Sequence, residues 1–114
     1  MLRLLLLEDS NDDAELIRIE LEHAGLPCEL RRAWSEPTLR LALADFAPDA
    51  VVCDLNLPGY SGLDALDLLR RERPGLPRVL LSGDPFGGPS GSEAIGLDKN
   101  DLSRVPGLVA TVAA

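Results

Sequence analysis

The chain has 114 residues, 46% of them apolar, enough for one domain with its own core and no need of a disulfide or structural metal. Its 11 basic and 19 acidic residues leave a net charge of −8, a field that repels phosphate backbones and anionic lipid surfaces, so neither nucleic acid nor membrane is expected as a primary partner. The leucine-rich opening has the look of a secretory signal, but it stops at Glu8-Asp9 without a small-residue cleavage site, and a cytoplasmic protein is expected.

Leu2 to Leu7 is a continuous apolar stretch broken only by Arg3, short enough for a strand buried on both faces. It runs into the acids Glu8 and Asp9. Ser10 or Asn11 can cap a helix from Asp12 to about Ala24, with Ala14, Ile17, Leu21 and Ala24 at helical spacing and an acidic first turn. Gly25 and Pro27 end it. Cys28 to Ala33 reads as a second strand, with Trp34 packing at its end; Ser35 and Pro37 then open a helix carrying Leu39, Ala42, Leu43 and Phe46 on one face. Pro48 is the stop.

Ala50 to Cys53 is a third buried strand, and it delivers Asp54 at its C-terminal end. A turn-rich loop from Leu55 follows, in which Ser61 and Asp64 have capping-box spacing for a helix reaching about Arg73. Pro74, Gly75 and Pro77 separate that helix from a strand over Val79-Leu80-Leu81 that Ser82 terminates. Gly83 to Ser92 holds four glycines and two prolines, too costly for a helix, and a loop is expected there. No lysine follows its last glycine, so it is a connector and not a phosphate-cradling loop. A final helix is expected near Pro106 to Ala113.

Strands alternating with helices through short connections favour a parallel sheet covered on both faces, a doubly wound α/β domain spanning residues 1–114. Ligands in such folds bind beyond the C-terminal strand ends. The residues expected there are Glu8, Asp9, Asp54 and Ser82. Three converging carboxylates repel one another unless a cation shares the site, and magnesium (Mg2+) takes hard oxygen ligands of this kind. A carboxylate beside it can attack an activated phosphoryl group to form an acyl phosphate, with a lysine and a hydroxyl steadying the phosphoryl oxygens.

At this set of residues the sequence resembles the receiver domain of bacterial two-component response regulators. The resemblance rests on Glu8-Asp9, on Asp54 followed by Leu55-Asn56-Leu57-Pro58-Gly59 and Gly62, on Ser82 after an apolar strand, and on Lys99. It implies a flavodoxin-like five-stranded sheet of order 2-1-3-4-5. It implies that Glu8 and Asp9 hold magnesium, Asp9 more directly, that Asp54 is both ligand and phosphoacceptor, and that Asn56 offers its backbone carbonyl to the metal. Ser82 and Lys99 then contact the phosphoryl group. Two departures stand out: the segment from Ser82 to Lys99 is short, so the fourth helix is expected to be replaced by a loop, and Ala94-Ile95-Gly96-Leu97 lacks the family's aromatic switch residue.

The function implied is that of a phosphoacceptor, not an enzyme beyond slow self-dephosphorylation. Its donor would be a sensor histidine kinase or a histidine phosphotransfer protein. The acidic start from Glu8 to Leu16 is similar to small regulators that serve phytochrome-type kinases. With no DNA-binding module in the 114 residues, output is expected by protein contact, by relay or by serving as a phosphate sink, and a homodimer is compatible with that. The competing reading is a degenerate receiver that serves as a phosphorylation-independent dimerisation or docking module. A phosphatase of the haloacid-dehalogenase type, which resembles this pattern in its aspartyl nucleophile, would need an acid two residues after Asp54, where Asn56 stands. Leu16 and Ile19 lie beside the apolar stripe of the first helix, as a docking patch or as partly buried core. Cys28 and Cys53 fall on strands separated by the first strand, about 9–10 Å across the sheet, beyond disulfide reach.

Overall fold

The structure is a computed structural model that describes residues 2–54, 59–82, 94–98 and 102–112. Five parallel strands, β1 (Leu2–Leu7), β2 (Cys28–Ala33), β3 (Ala50–Asp54), β4 (Arg78–Ser82) and β5 (Ala94–Asp98), form one sheet of order β2-β1-β3-β4-β5. Among the described residues four helices connect or follow them: α1 (Asn11–His23), α2 (Glu36–Asp45), α3 (Gly62–Glu72) and α4 (Val105–Val112), the last preceded by a 3-10 turn over Leu102–Arg104. The order is the flavodoxin-like one expected. Gly83 to Ser92, where a loop was expected in place of a helix, lies outside the described residues.

Alternation along the strands sorts the core into two layers. Leu5, Leu7, Val51, Cys53 and Leu80 face α2 and α3, packing with Leu39, Leu43, Leu66 and Leu69. Leu4, Leu6, Val52, Val79 and Leu81 face α1 and α4, packing with Ile17, Leu21, Val105 and Val109. With both faces covered, the central strands have no solvated side to specify, which is why Leu4 to Leu7 of β1 and Ala50 to Cys53 of β3 are unbroken apolar runs. Each fully buried leucine contributes about 2 kcal/mol from apolar burial.

The helix boundaries follow from capping. Ser10, not Asn11, caps α1, its Oγ accepting from the Asp13 amide at 3.2 Å. Ser35 and Thr38 form a reciprocal box at the start of α2, and Ser61 accepts from the Asp64 amide at the start of α3. At its C-terminus α1 closes with the Leu26 amide on the Leu21 carbonyl and the Gly25 amide on the Glu22 carbonyl, with Gly25 at φ 70°. α2 reaches the same left-handed position with Ala47, at φ 49° and without glycine's freedom. Ala24, expected in the buried stripe of α1, is exposed as the residue that caps the helix.

Candidate functional site

Parallel register brings the acids together. Leu7 pairs with Cys53 across β1 and β3, so the next residue of each strand, Glu8 and Asp54, stands level at the C-terminal end of the sheet. Both are 2% exposed. The Glu8 backbone stays tied to the far side of the sheet, its amide donating to the Ala33 carbonyl at 2.9 Å. Its Oε1 accepts from the Ser10 amide at 3.1 Å, so one carboxylate oxygen shapes the turn that Ser10 then uses to cap α1. Asp9, between them in sequence, is exposed at the rim.

On the other flank Asp54 pairs with Leu81, which puts the Ser82 backbone one step further along β4, and Ser82 in turn pairs with Asp98 of β5. Glu8, Asp9, Asp54 and Ser82 therefore share one strand-end rim, as their order in the sequence implied. Asn56 and Lys99 lie outside the described residues, Lys99 one position beyond Asp98.

The local field is visible at Cys53, whose side chain points to the opposite face from Asp54. Burial pushes its thiol up to about 12, with the Asp54 and Glu8 charges adding to the rise and Arg78 opposing it. Two buried carboxylates thus act on one thiol from the same end of the sheet. Their oxygens suit a hard divalent cation, and magnesium commonly completes its octahedron with water, backbone carbonyl and phosphoryl oxygens. Among the described residues, Glu8, Asp9 and Asp54 included, no group of three or more His, Cys, Asp or Glu side chains is placed to hold an ion, so the convergence of three carboxylates expected at the strand ends is not formed here: Glu8 and Asp54 are buried level with each other, and Asp9 is exposed at the rim.

Sequence reading missed Arg32. Its guanidinium donates to the Asp9 carbonyl at 3.1 Å and lies over the Trp34 ring, 5.3 Å from the centroid. Trp34 was expected to pack at the strand end; it is instead 45% exposed, serving as the plate on which Arg32 rests. An arginine two residues before a tryptophan, at the end of a strand beside the acidic turn, was the available signal. Leu16 is 49% exposed, whereas Ile19 is half-buried, so the two do not form a uniform patch.

Comparison with known proteins agrees with this geometry. The family model for the response regulator receiver domain matches residues 4–86. "Probable transcriptional regulatory protein TcrX" of Mycobacterium tuberculosis is 37% identical over 78 residues, 68% of this chain and 32% of that protein. The cell cycle transcriptional regulator CtrA of Caulobacter vibrioides is 33% identical over 82 residues, 72% of this chain and 35% of that protein. The chain thus spans about a third of the length of these curated relatives. Among solved structures, a CheY-like response regulator receiver domain from Methylobacillus flagellatus superposes with a TM-score of 0.77 at 27% identity, covering 98% of each chain. A sensor protein from Polaromonas superposes with a TM-score of 0.77 at 26% identity, covering 98% of this chain and 95% of the other.

Proposed function

This chain belongs to the response regulator receiver domain family, and from that premise we propose that Asp54 accepts a phosphoryl group from a sensor histidine kinase or a histidine phosphotransfer protein. The observation that carries the reading is the level placement of Glu8 and Asp54, both buried, at the C-terminal ends of neighbouring parallel strands. Asp54 supplies the nucleophile: one carboxylate oxygen bonds to phosphorus as the bond from phosphorus to the donor breaks, leaving an acyl phosphate. Glu8, Asp9 and Asp54 would hold Mg2+ with the Asn56 carbonyl, Asp9 more directly than Glu8. When bound, the ion supplies charge neutralisation for the phosphoryl oxygens. Ser82 donates its hydroxyl to those oxygens and Lys99 its ammonium.

The role is that of a switchable acceptor in a two-component relay, with slow self-dephosphorylation returning it to rest. Its surroundings are cytoplasmic in this reading, and the −8 charge makes a protein surface the natural target of output. The acidic start from Glu8 to Leu16 supports a donor of the phytochrome-type kinase class.

Incubation with acetyl phosphate and magnesium, followed by intact-mass and peptide mass spectrometry, tests the proposal. A single phosphoryl adduct on Asp54, lost in Asp54→Asn and lost with chelator, is expected. An unlabelled wild-type chain would overturn it in favour of a phosphorylation-independent docking module.

A further inference from the structure

β2 is an edge strand: it pairs with β1 on one side, and within the described residues nothing pairs with its other side. The Glu8 amide bonds the Ala33 carbonyl, so Ala33, and by alternation Arg31 and Glu29, direct their backbone groups toward β1. Cys28, Leu30 and Arg32 consequently direct theirs outward. A free strand edge of this kind is a template for another strand, and charged side chains on it decide which partner and register are tolerated.

The charges on β2 are self-complementary in one register. Two copies meeting antiparallel about a two-fold axis must place each residue opposite one of the same face, so the axis passes through a residue. An axis at Glu29, Arg31 or Arg32 sets that residue against its own copy, a like-charge contact that destabilises pairing. An axis at Leu30 sets Leu30 against Leu30, and Glu29 against Arg31 on both sides of it. The same register places Cys28 and Leu30 where their outward backbone groups meet the outward groups of Arg32 and Leu30 in the second copy, so every outward-facing residue of β2 is paired.

A second feature lies beside that axis. An open groove of about 600 Å³ runs between α1 and β2, lined by Leu21, Leu26, Pro27, Cys28 and Leu30 on its apolar side. Leu30 of a second copy, directly opposite Leu30 and on the same face, would enter it. Glu29 and Arg31 are exposed on the opposite face; Glu29 lies 3.7 Å from Arg3, and Arg31 lies over the Phe46 ring.

We propose that the chain forms a two-fold dimer by antiparallel pairing of β2 with β2 of a second copy, centred on Leu30 and held in register by reciprocal Glu29–Arg31 ion pairs. The dimer joins the two sheets into one and leaves both acidic rims open. It does not rest on the phosphoacceptor reading, because β2 contributes none of the residues assigned to that site.

Sedimentation velocity of the full chain over a concentration series tests this, with circular dichroism as the check on folding. Wild type is expected to dimerise, and Glu29→Arg and Arg31→Glu each to weaken the dimer at least tenfold. The double variant, which restores opposite charges across the axis, is expected to return affinity to within about threefold of wild type, a recovery that loss of the Arg3 or Phe46 contacts cannot produce. A monomeric wild type overturns the proposal. So does a dimer indifferent to the single changes, or a double variant no stronger than either. Acetyl phosphate labelling of Asp54 in the same variants should match wild type, which separates failure here from failure of the site assignment.

Discussion

Glu8 and Asp54 stand side by side at the ends of two hydrogen-bonded parallel strands, each 2% exposed, so the sheet holds two carboxylates level in a region with little water. Charge confined in this way costs stability in the absence of a cation and gains binding energy in its presence. Asp54→Asn is therefore expected to raise the melting temperature of the metal-free protein by about 4 °C or more, corresponding to ~1 kcal/mol in a domain of this size. Added magnesium should raise the melting temperature of wild type more than that of the variant. Calorimetry with and without chelator decides it, and a destabilised Asp54→Asn in the metal-free state would contradict the electrostatic account.

Asp9 and Asp13 differ in what their positions allow. Asp9 is exposed on the rim beside the buried pair, whereas Asp13 sits in the first turn of α1, its amide already held by Ser10. Asp9→Ala should weaken magnesium affinity at least tenfold, while Asp13→Ala should change it by less than threefold. A fluorescence or calorimetric metal titration giving equal losses would show that the rim is mapped wrongly.

Cys53 offers a pH signature. Burial, followed by the Asp54 charge, pushes its thiol up to about 12, while an unfolded cysteine ionises near ~8.5. The raised folded value means that the contribution is complete below the unfolded value. It is lost as pH rises through the interval to about 12, because only the unfolded chain releases the proton there. The slope of unfolding free energy against pH above 9 should be less negative in Cys53→Ala than in wild type; identical slopes would mean that the thiol ionises freely in the fold.

The two thiols should also remain unbridged. Cys28 pairs with Leu2 and Cys53 with Leu7, so they stand on opposite sides of β1 and at opposite ends of it, well beyond disulfide reach. Alkylation of the denatured, unreduced protein is expected to modify both. A chain with no free thiol would contradict the strand order.

Ala47 marks a correctable strain. It holds φ 49° directly after the residue that caps α2, the position that Gly25 fills after α1. Ala47→Gly should stabilise the fold by about 0.5–1 kcal/mol, the left-handed penalty of a β-carbon offset in part by glycine's larger unfolded-state entropy. A denaturant midpoint shifted downward would place the strain elsewhere.

The sequence by itself determined the succession of strands and helices, the serines that start the helices and the acids at the strand ends. Those signals act within a few residues: an apolar run such as Leu4 to Leu7, a serine three positions before an amide, a glycine after a helix. Tertiary structure decided what depends on register between distant segments. Pairing of Leu7 with Cys53 makes Glu8 and Asp54 level and buried, and nothing in either segment alone sets that alignment. The same holds for Arg32, which reads as a surface charge until the turn at Asp9 is laid against it, and for Trp34, which is exposed with Arg32 over its ring. The outward direction of Leu30 likewise depends on one hydrogen bond between Glu8 and Ala33, formed across 25 residues of chain only when β1 and β2 are in place.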